Sequence, residues 1–476
     1  MTEGLFIGGD RVSAQTGATA ELLDPATGEP WATVAMATAA DVDRAVHIAA
    51  QMRPSWRKVN SRDRTQMLLR LAGLIRSERE PLAQLESRNV GKPIREAREE
   101  VDLAADCFEY YAGAINKIGG SVNPVAAAGT SLTLREPIGV CGLIVPWNFP
   151  IAITAWKVAP ALAMGNPVVL KPASLTPLTA LRLGTLALEA GIPAGVFNIL
   201  PGAGKEAGKA LLHHPLVRKV SFTGSTTVGQ QVMQAAATDL KRVTLELGGK
   251  SANLVFADAD LEIAVPKSMW SVLGNAGQDC CARSRILVER PIYEEFVQRL
   301  ITQFQTLQIG MPTAETTEIG ALVSQQQRDH VLAYIALGQA EGANLAYGGT
   351  IPADQPATGA FLTPAIFTEV QPEMRIAQEE IFGPVVCVSP FDQEAEAIAI
   401  ANHSKYGLSG SIWTRDIGRA LRVARAIETG VLSINTGHSV HLEAPFGGVK
   451  HSGLGRELGL AALDYYSELK SVFIAE

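Results

Sequence analysis

A reactive thiol is the first chemistry this sequence offers. Cys280 and Cys281 follow Asn275, Ala276, Gly277, Gln278 and Asp279, and a sulfur in such a glycine-containing loop is approachable, with a backbone N–H close by. A thiolate there can attack a carbonyl, and that N–H can help hold the resulting oxyanion. Spacing does not choose between the two cysteines, and an isolated cysteine is more often an inert buried residue. Glu246 stands in the apolar run Val243-Thr244-Leu245-Glu246-Leu247 ahead of Gly248, Gly249 and Lys250. A carboxylate in such a strand is expensive to bury. Burial raises its pKa towards the range of a general base, while pairing with an arginine or a backbone amide explains it equally well. Asn148 lies between Pro146 and Pro150, where restricted backbone would hold its amide as a fixed donor, although structural turn asparagines are commoner.

Two further segments suit phosphate. The apolar run from Val217 to Phe222 leads into Gly224, Ser225 and Gly229, a strand, glycine turn and helix that would aim backbone N–H groups at an anion. It is not the usual GxGxxG pattern, and alone it is only a turn. Val168-Val169-Leu170-Lys171 ends a buried strand in a lysine, with Ser174 just beyond. Ligands of open α/β sheets bind at such carboxyl ends, and a solvated strand-end lysine is the plainer reading.

These residues need a scaffold, and the hydrophobic pattern predicts one. Thr38 and Asp41 form a capping box ahead of a helix carrying Val42, Ala45, Val46 and Ala49 on one face. Ser61 is the expected cap of a second helix bearing Met67, Leu68, Leu71, Leu74 and Ile75. A third amphipathic segment runs over 94–114. Residues 130–135 alternate polar and apolar as a half-exposed strand does. Short apolar runs at 140–145, 167–170, 196–200 and 217–222 then alternate with helical stretches at 176–190 and 204–213, the first expected to start on Thr176 and Pro177. That alternation predicts a parallel sheet. A second series follows, with strands at 252–256, 285–288, 385–388 and 431–435 and a helix over 292–308. Two closely packed α/β domains with a site in the cleft between them are the economical reading.

A chain of 476 residues exceeds one ordinary core. A net charge of −7 argues against nucleic acid or an anionic membrane as partner. Five cysteines without a CxxC pair suggest a reduced, cytoplasmic protein, and eight histidines without HExxH or a Cys/His cluster point to no metal. The N-terminus lacks the basic and apolar regions of a signal peptide. The apolar stretch 138–170 is broken by Pro146, Asn148, Pro150, Lys157 and Pro160, so it reads as strand, loop and helix, not a membrane span.

Taken together and in order, these motifs closely resemble the aldehyde dehydrogenase superfamily over essentially the whole chain. The likeness rests on Pro146 to Pro150, Lys171 to Ser174, Phe222 to Ser225, Leu245 to Lys250 and Gly277 to Cys280. It continues through Glu380-Ile381-Phe382-Gly383-Pro384, Pro445 to Lys450 and Ser452 to Glu457. The resemblance implies an α/β protein with a Rossmann-like coenzyme domain (1–117 and 138–247) and an α/β catalytic domain (248–445). It also implies a small β oligomerisation arm (118–137 and 460–476). It selects Cys280 as nucleophile over Cys281, Asn148 as oxyanion donor with the Cys280 N–H, and Glu246 as base. Lys157 and Glu457 match a pair that some members are thought to use for relaying protons. Val145, Pro146, Trp147, Lys171, Ser174, Gly224, Ser225, Gly229, Leu247, Glu380 and Phe382 match cofactor-binding positions.

The implied reaction oxidises a small-molecule aldehyde to its acid with NAD or NADP, through a thiohemiacetal and a hydrolysed thioester on Cys280. NAD-preferring members commonly carry a glutamate three residues after the lysine; here it is Ser174. A carboxylate would repel a ribose 2′-phosphate whereas a serine would not, so NADP competence is expected. By analogy Tyr110, Trp156, Trp270 and Phe446 line a substrate tunnel beside Asp279 and Cys281, and Asp279, Asp106 or Glu109 would meet a cationic substrate end. Aliphatic or amino aldehydes are the expected substrates, and a homodimer or homotetramer the expected assembly. The competing activities are a CoA-acylating semialdehyde dehydrogenase, against which Glu246 argues, and a thiol esterase using Cys280 and Glu246.

Overall fold

In the computed structural model, which describes residues 2–476, the apolar runs become the parallel strands Val140–Ile144, Val168–Lys171, Phe197–Ile199, Val217–Thr223 and Arg242–Glu246. In space they lie in the order Arg242–Glu246, Val217–Thr223, Val140–Ile144, Val168–Lys171, Phe197–Ile199. This is the doubly wound arrangement, and it reverses direction between Val140–Ile144 and Val217–Thr223, where ligands of such sheets bind. Val145 to Asn148 leave one of those strand ends; Gly224 and Ser225 leave the other.

Antiparallel additions close both edges of this sheet, giving eight strands. The N-terminal hairpin Leu5–Ile7 and Asp10–Val12 joins beside Phe197–Ile199. At the opposite edge Gly453–Leu454 returns from the C-terminal region, pairing Leu454 with Leu245 and Gly453 with Glu246. A second sheet of seven strands holds Ala252–Val255, Arg285–Glu289, Ala365–Thr368, Val385–Phe391, Gly410–Trp413 and Ser433–Ile434 in parallel, with Asn344–Tyr347 antiparallel at its edge. A third sheet joins Ser121–Asn123, Gly129–Pro137 and Ser467–Ala475. It leaves Leu134, Leu469, Phe473 and Ile474 exposed.

The helix Ala39–Lys58 starts on Thr38 with the expected capping box and buries Val42, Ala45, Val46 and Ala49. Ile94–Ala114 has the predicted bounds because its apolar face repeats cleanly, burying Val101, Ala104, Ala105, Phe108 and Tyr111. Two expected caps are corrected. Asn60, not Ser61, caps Ser61–Ser77, because its side chain accepts from the Asp63 N–H at 2.9 Å. Thr176 does not cap Leu178–Glu189; its hydroxyl donates to the Trp147 carbonyl at 3.2 Å instead. The stretch 204–213 divides into a π-turn, Gly204–Gly208, and a short helix, Lys209–His213. The helix Arg79–Val90 has no counterpart in the sequence reading. No helix among the described residues is long and apolar enough to cross a membrane.

Candidate active site

The thiol loop is shaped by three consecutive left-handed residues, Asn275, Ala276 and Gly277, with φ of 50°, 54° and 73°. A Cβ on Gly277 would run into the Gly383 carbonyl, so only glycine fits there. The turn presents Cys280 partly exposed and Cys281 buried. Among the described residues the Cys280 N–H donates to no backbone group, whereas the Cys281 N–H donates to Asp279 Oδ1 at 2.9 Å. A hydrogen bond involving Cys281, and burial, push the Cys280 thiol well above its ordinary pKa.

Asn148 approaches from the coenzyme sheet. Its Nδ2 donates to the Gln278 carbonyl at 2.8 Å. An acceptor at that place requires the NH2 to face the thiol loop, and one bond leaves the second hydrogen for another acceptor. Glu246 ends its strand buried, at 3 % exposure, and neither carboxylate oxygen has a partner among the described residues. Burial first, and then the nearby Glu457 carboxylate, raise its pKa well above the ordinary value. The structural pairing with an arginine or amide that the sequence left open is absent. Just beyond, the chain passes Gly249, whose Cβ would strike the Cys280 carbonyl, and Gly248, whose Cβ would strike the Glu380 carboxylate. These two glycines let strand and thiol loop touch.

Lys157 and Glu457 are both buried and form an ion pair. Ser221 Oγ bridges them, accepting from Lys157 Nζ at 2.9 Å and donating to Glu457 Oε1 at 3.1 Å. Ser452 is a second hub: its hydroxyl donates to the Gly248 carbonyl at 2.7 Å and its carbonyl accepts from the Leu247 N–H at 2.9 Å. Ser221 and Ser452 stand in recognisable segments, but a buried serine carries no sequence signal of such bridging.

The expected cofactor residues gather at the sheet reversal. The Val145 N–H donates to the Lys171 carbonyl at 3.2 Å, and the Trp147 ring stands edge-on to Phe382 at 5.2 Å. Ser225 caps the helix Thr226–Ala237, and Leu247 covers Gly229, where a Cβ would collide with it. Glu380 Oε1 accepts from the Gly249 N–H at 3.1 Å, and burial lifts its pKa to about 7. Lys171 Nζ donates to the Pro172 carbonyl at 2.9 Å, and burial lowers its pKa to about 8. Ser174 Oγ donates to the Gly202 carbonyl at 2.9 Å. A dinucleotide fits this set: a helix N-terminus behind a glycine turn for phosphate, a lysine and a hydroxyl at the adjacent strand end, and an aromatic beside a carboxylate next to the thiol loop.

Of the tunnel candidates, Trp156 and Phe446 meet edge to face at 5.4 Å and pack with Cys280, Cys281, Leu408, Val440, Leu442 and Leu458. Tyr110 meets Tyr111 at 5.1 Å and packs on the large apolar core that Trp156 and Leu442 also touch, but not on the residues around the thiols. Trp270 lies under Arg95 at 5.3 Å. Asp106 and Glu109 both pair with Arg76, so they are occupied on the outer face. Asp279 alone of the acidic candidates adjoins the thiols. The fold also gathers metal-ligating atoms that spacing did not foretell, in Asp43, His47 and His214 and again in Asp279, Cys280 and Cys281. In the first group the Leu216 N–H donates to His214 Nδ1 at 3.2 Å and Nε2 faces Asp43 Oδ1 at 3.3 Å. That assigns the neutral ring's proton to Nε2 and makes the group a hydrogen-bonded one.

The aldehyde dehydrogenase family model matches residues 12–472. The chain is 46% identical to a mitochondrial aldehyde dehydrogenase of Leishmania tarentolae, covering 100% of this chain and 95% of that one. It is 45% identical to an aldehyde dehydrogenase of Aspergillus niger, over 98% and 94%. The solved NAD+ complex of an aldehyde dehydrogenase from Bacillus cereus superposes with a TM-score of 0.98 at 43% identity, over 100% of this chain and 97% of the other.

Proposed function

The chain belongs to the aldehyde dehydrogenase family, and from that premise we propose that it oxidises its aldehyde through Cys280 to a free carboxylic acid and accepts NADP as well as NAD. The observation that carries the hydrolytic reading is Glu246, buried and unpartnered three residues before a glycine that abuts the Cys280 carbonyl. A thiol loop with no base beside it would have to pass its acyl group to another acceptor.

In this reading the partly exposed Cys280 thiol gives its proton to solvent water, the thiolate adds to the aldehyde carbon, and the new oxyanion is held by the second Asn148 Nδ2 hydrogen and the Cys280 N–H. Bound at the sheet reversal, NAD(P)+ supplies the acceptor for the hydride that leaves this adduct. Glu246 then takes a proton from water, whose oxygen attacks the thioester carbon, and the Cys280 thiolate is released. The Lys157–Glu457 pair with Ser221 carries that proton away from Glu246.

Ser174 supports NADP competence because it brings no negative charge to the strand end that Lys171 occupies. Trp156, Phe446, Val440 and Leu442 favour an aliphatic aldehyde, and Asp279 is the group an amino aldehyde's ammonium would meet. The exposed apolar residues of the three-stranded sheet support pairing between copies of the chain, and five unpaired cysteines support the cytoplasm. The test is a panel of aliphatic, aromatic and amino aldehydes with NAD and with NADP, following reduced nicotinamide and free acid, with and without CoA. Stoichiometric acid without CoA, and turnover with both nicotinamides, are expected. A requirement for CoA would sink the hydrolytic reading, and no turnover with NADP would sink the Ser174 argument.

A further inference from the structure

Beneath Asn148 lies a buried polar cluster that the reaction above does not use. Lys92, 1 % exposed, forms an ion pair with Glu100 and donates to the Asn148 carbonyl oxygen at 2.8 Å. Asn275 Nδ2, from the thiol loop, donates to the same oxygen at 2.8 Å. Both lone pairs of that carbonyl are therefore taken, one by each half of the site. Glu100 Oε1 accepts from the Ala152 N–H at 3.2 Å, and Glu86 accepts from the Ile151 N–H at 3.1 Å and from the Thr179 hydroxyl at 2.6 Å. Glu86 and Glu100 thus satisfy two of the free N–H groups in the first turn of Pro150–Ala163. Lys92 also stands 4.3 Å over the Phe149 ring. The backbone around Asn148 is held at its own carbonyl, at the Trp147 carbonyl and at the Ile151 and Ala152 N–H groups, while its side chain has a single bond, to Gln278.

A buried ion pair is weak evidence for stability, since an apolar pair often serves as well. What an apolar pair cannot supply is a charged donor to one chosen carbonyl. We infer that Lys92, held by Glu100, is a positioning residue for the Asn148 amide, fixing the backbone from which the oxyanion donor projects. The inference rests on the reading of Asn148 as that donor.

A double-mutant cycle separates positioning from general support of the fold. Lys92→Met combined with Glu100→Gln removes both charges of the pair together, and glutamine still accepts from Ala152. The buried neighbours Glu86 and Glu96, which burial pushes towards the neutral acid, keep their bonds to Ile151, Thr179 and Asn275. The hydride-transfer rate constant is read from the first turnover at saturating aldehyde and NAD, in wild-type and Asn148→Ala backgrounds. Asn148→Ala should slow it by about 100-fold or more. The Lys92/Glu100 variant should slow it by about 10-fold in the wild-type background and less than about 2-fold where Asn148 is already gone. An equal factor in both backgrounds overturns the positioning role, whatever happens to thermal stability. No effect of Asn148→Ala alone overturns the reading of Asn148 itself, a different failure. Lys92→Gln with Glu100→Gln, which keeps a polar donor beside the Asn148 carbonyl, is carried through the same cycle so that the comparison survives if the methionine variant does not fold.

Discussion

Gly447 offers a sharp test of how Glu246 is held. A Cβ at that position would lie 2.6 Å from Glu246 Oε1, 2.9 Å from the Gly455 carbonyl and 3.1 Å from Arg456 Cδ. A Cβ essentially never comes within 3.0 Å of a non-bonded atom and is crowded below 3.4 Å, so in Gly447→Ala the carboxylate must withdraw by about 0.4–0.8 Å. Neither oxygen has a partner to resist the shift. Displacement of a reacting group by about 1 Å can slow a step about 100-fold, so water attack should slow by about 10- to 100-fold, or about 1.4–2.7 kcal/mol. Gly447 has φ of +154°, and alanine there adds backbone strain that lowers stability, but strain alone does not single out one half-reaction. Rapid mixing with NAD and excess aldehyde distinguishes them. The variant should release about one reduced nicotinamide per active site in a fast burst and then turn over slowly. Combining it with Glu246→Gln should slow deacylation no further than Glu246→Gln alone. A slowed burst, or unchanged turnover, would refute the claim that glycine makes room for the base.

Three other substitutions probe separate features. Ser174→Glu should lower kcat/KM for NADP by about 10-fold or more and leave NAD within about threefold; equal losses for the two cofactors would remove the charge argument. Cys281→Ser should move the pH midpoint of Cys280 alkylation by iodoacetamide to lower pH, because a bond involving Cys281 is the first cause raising that thiol; an unmoved midpoint contradicts it. Lys219 is fully buried, and burial lowers its pKa from 10.5 to about 7. Between those values the unfolded chain binds the proton and the folded one does not, so this group makes stability rise with pH by up to about 1.4 kcal/mol per unit. Lys219→Met should flatten the rise in Tm between pH 7 and pH 9, and an unchanged slope would show that the lysine stays charged.

Residues with unusual chemistry for their surroundings were legible in the sequence. A carboxylate in an apolar strand, an amide between prolines and a thiol behind Gly277 each broke a local rule, and the fold brings Glu246, Asn148 and Cys280 to one place. Strongly periodic elements were equally plain, Ile94–Ala114 to the residue. The helix Arg79–Val90 was missed because its buried face is Leu82, Ala83, Glu86, Ser87, Asn89 and Val90. Half of that face is polar, so no apolar stripe marks it. Lys92 and Glu100 were hidden for a related reason: a charged residue on a helix or turn ordinarily faces solvent, and only the fold shows both beneath Asn148. Asn60 and Ser61 are equally good caps by type, and the choice is made by which side chain reaches the Asp63 N–H.

The short return strand Gly453–Leu454 has a consequence for how the protein comes into being. The five parallel strands between 140 and 246 are complete once residue 246 has been synthesised, and such a unit can begin to fold while the chain still grows. Its edge beyond Arg242–Glu246 nevertheless stays open until residues 453 and 454 emerge. The same late segment brings Glu457 to Lys157 and Ser452 to Leu247. During synthesis, then, the nucleotide fold precedes the completed catalytic centre by more than two hundred residues. A nascent or C-terminally clipped chain that already carries Cys280 would lack the wall behind its base, and it would expose an unpaired strand edge to its neighbours.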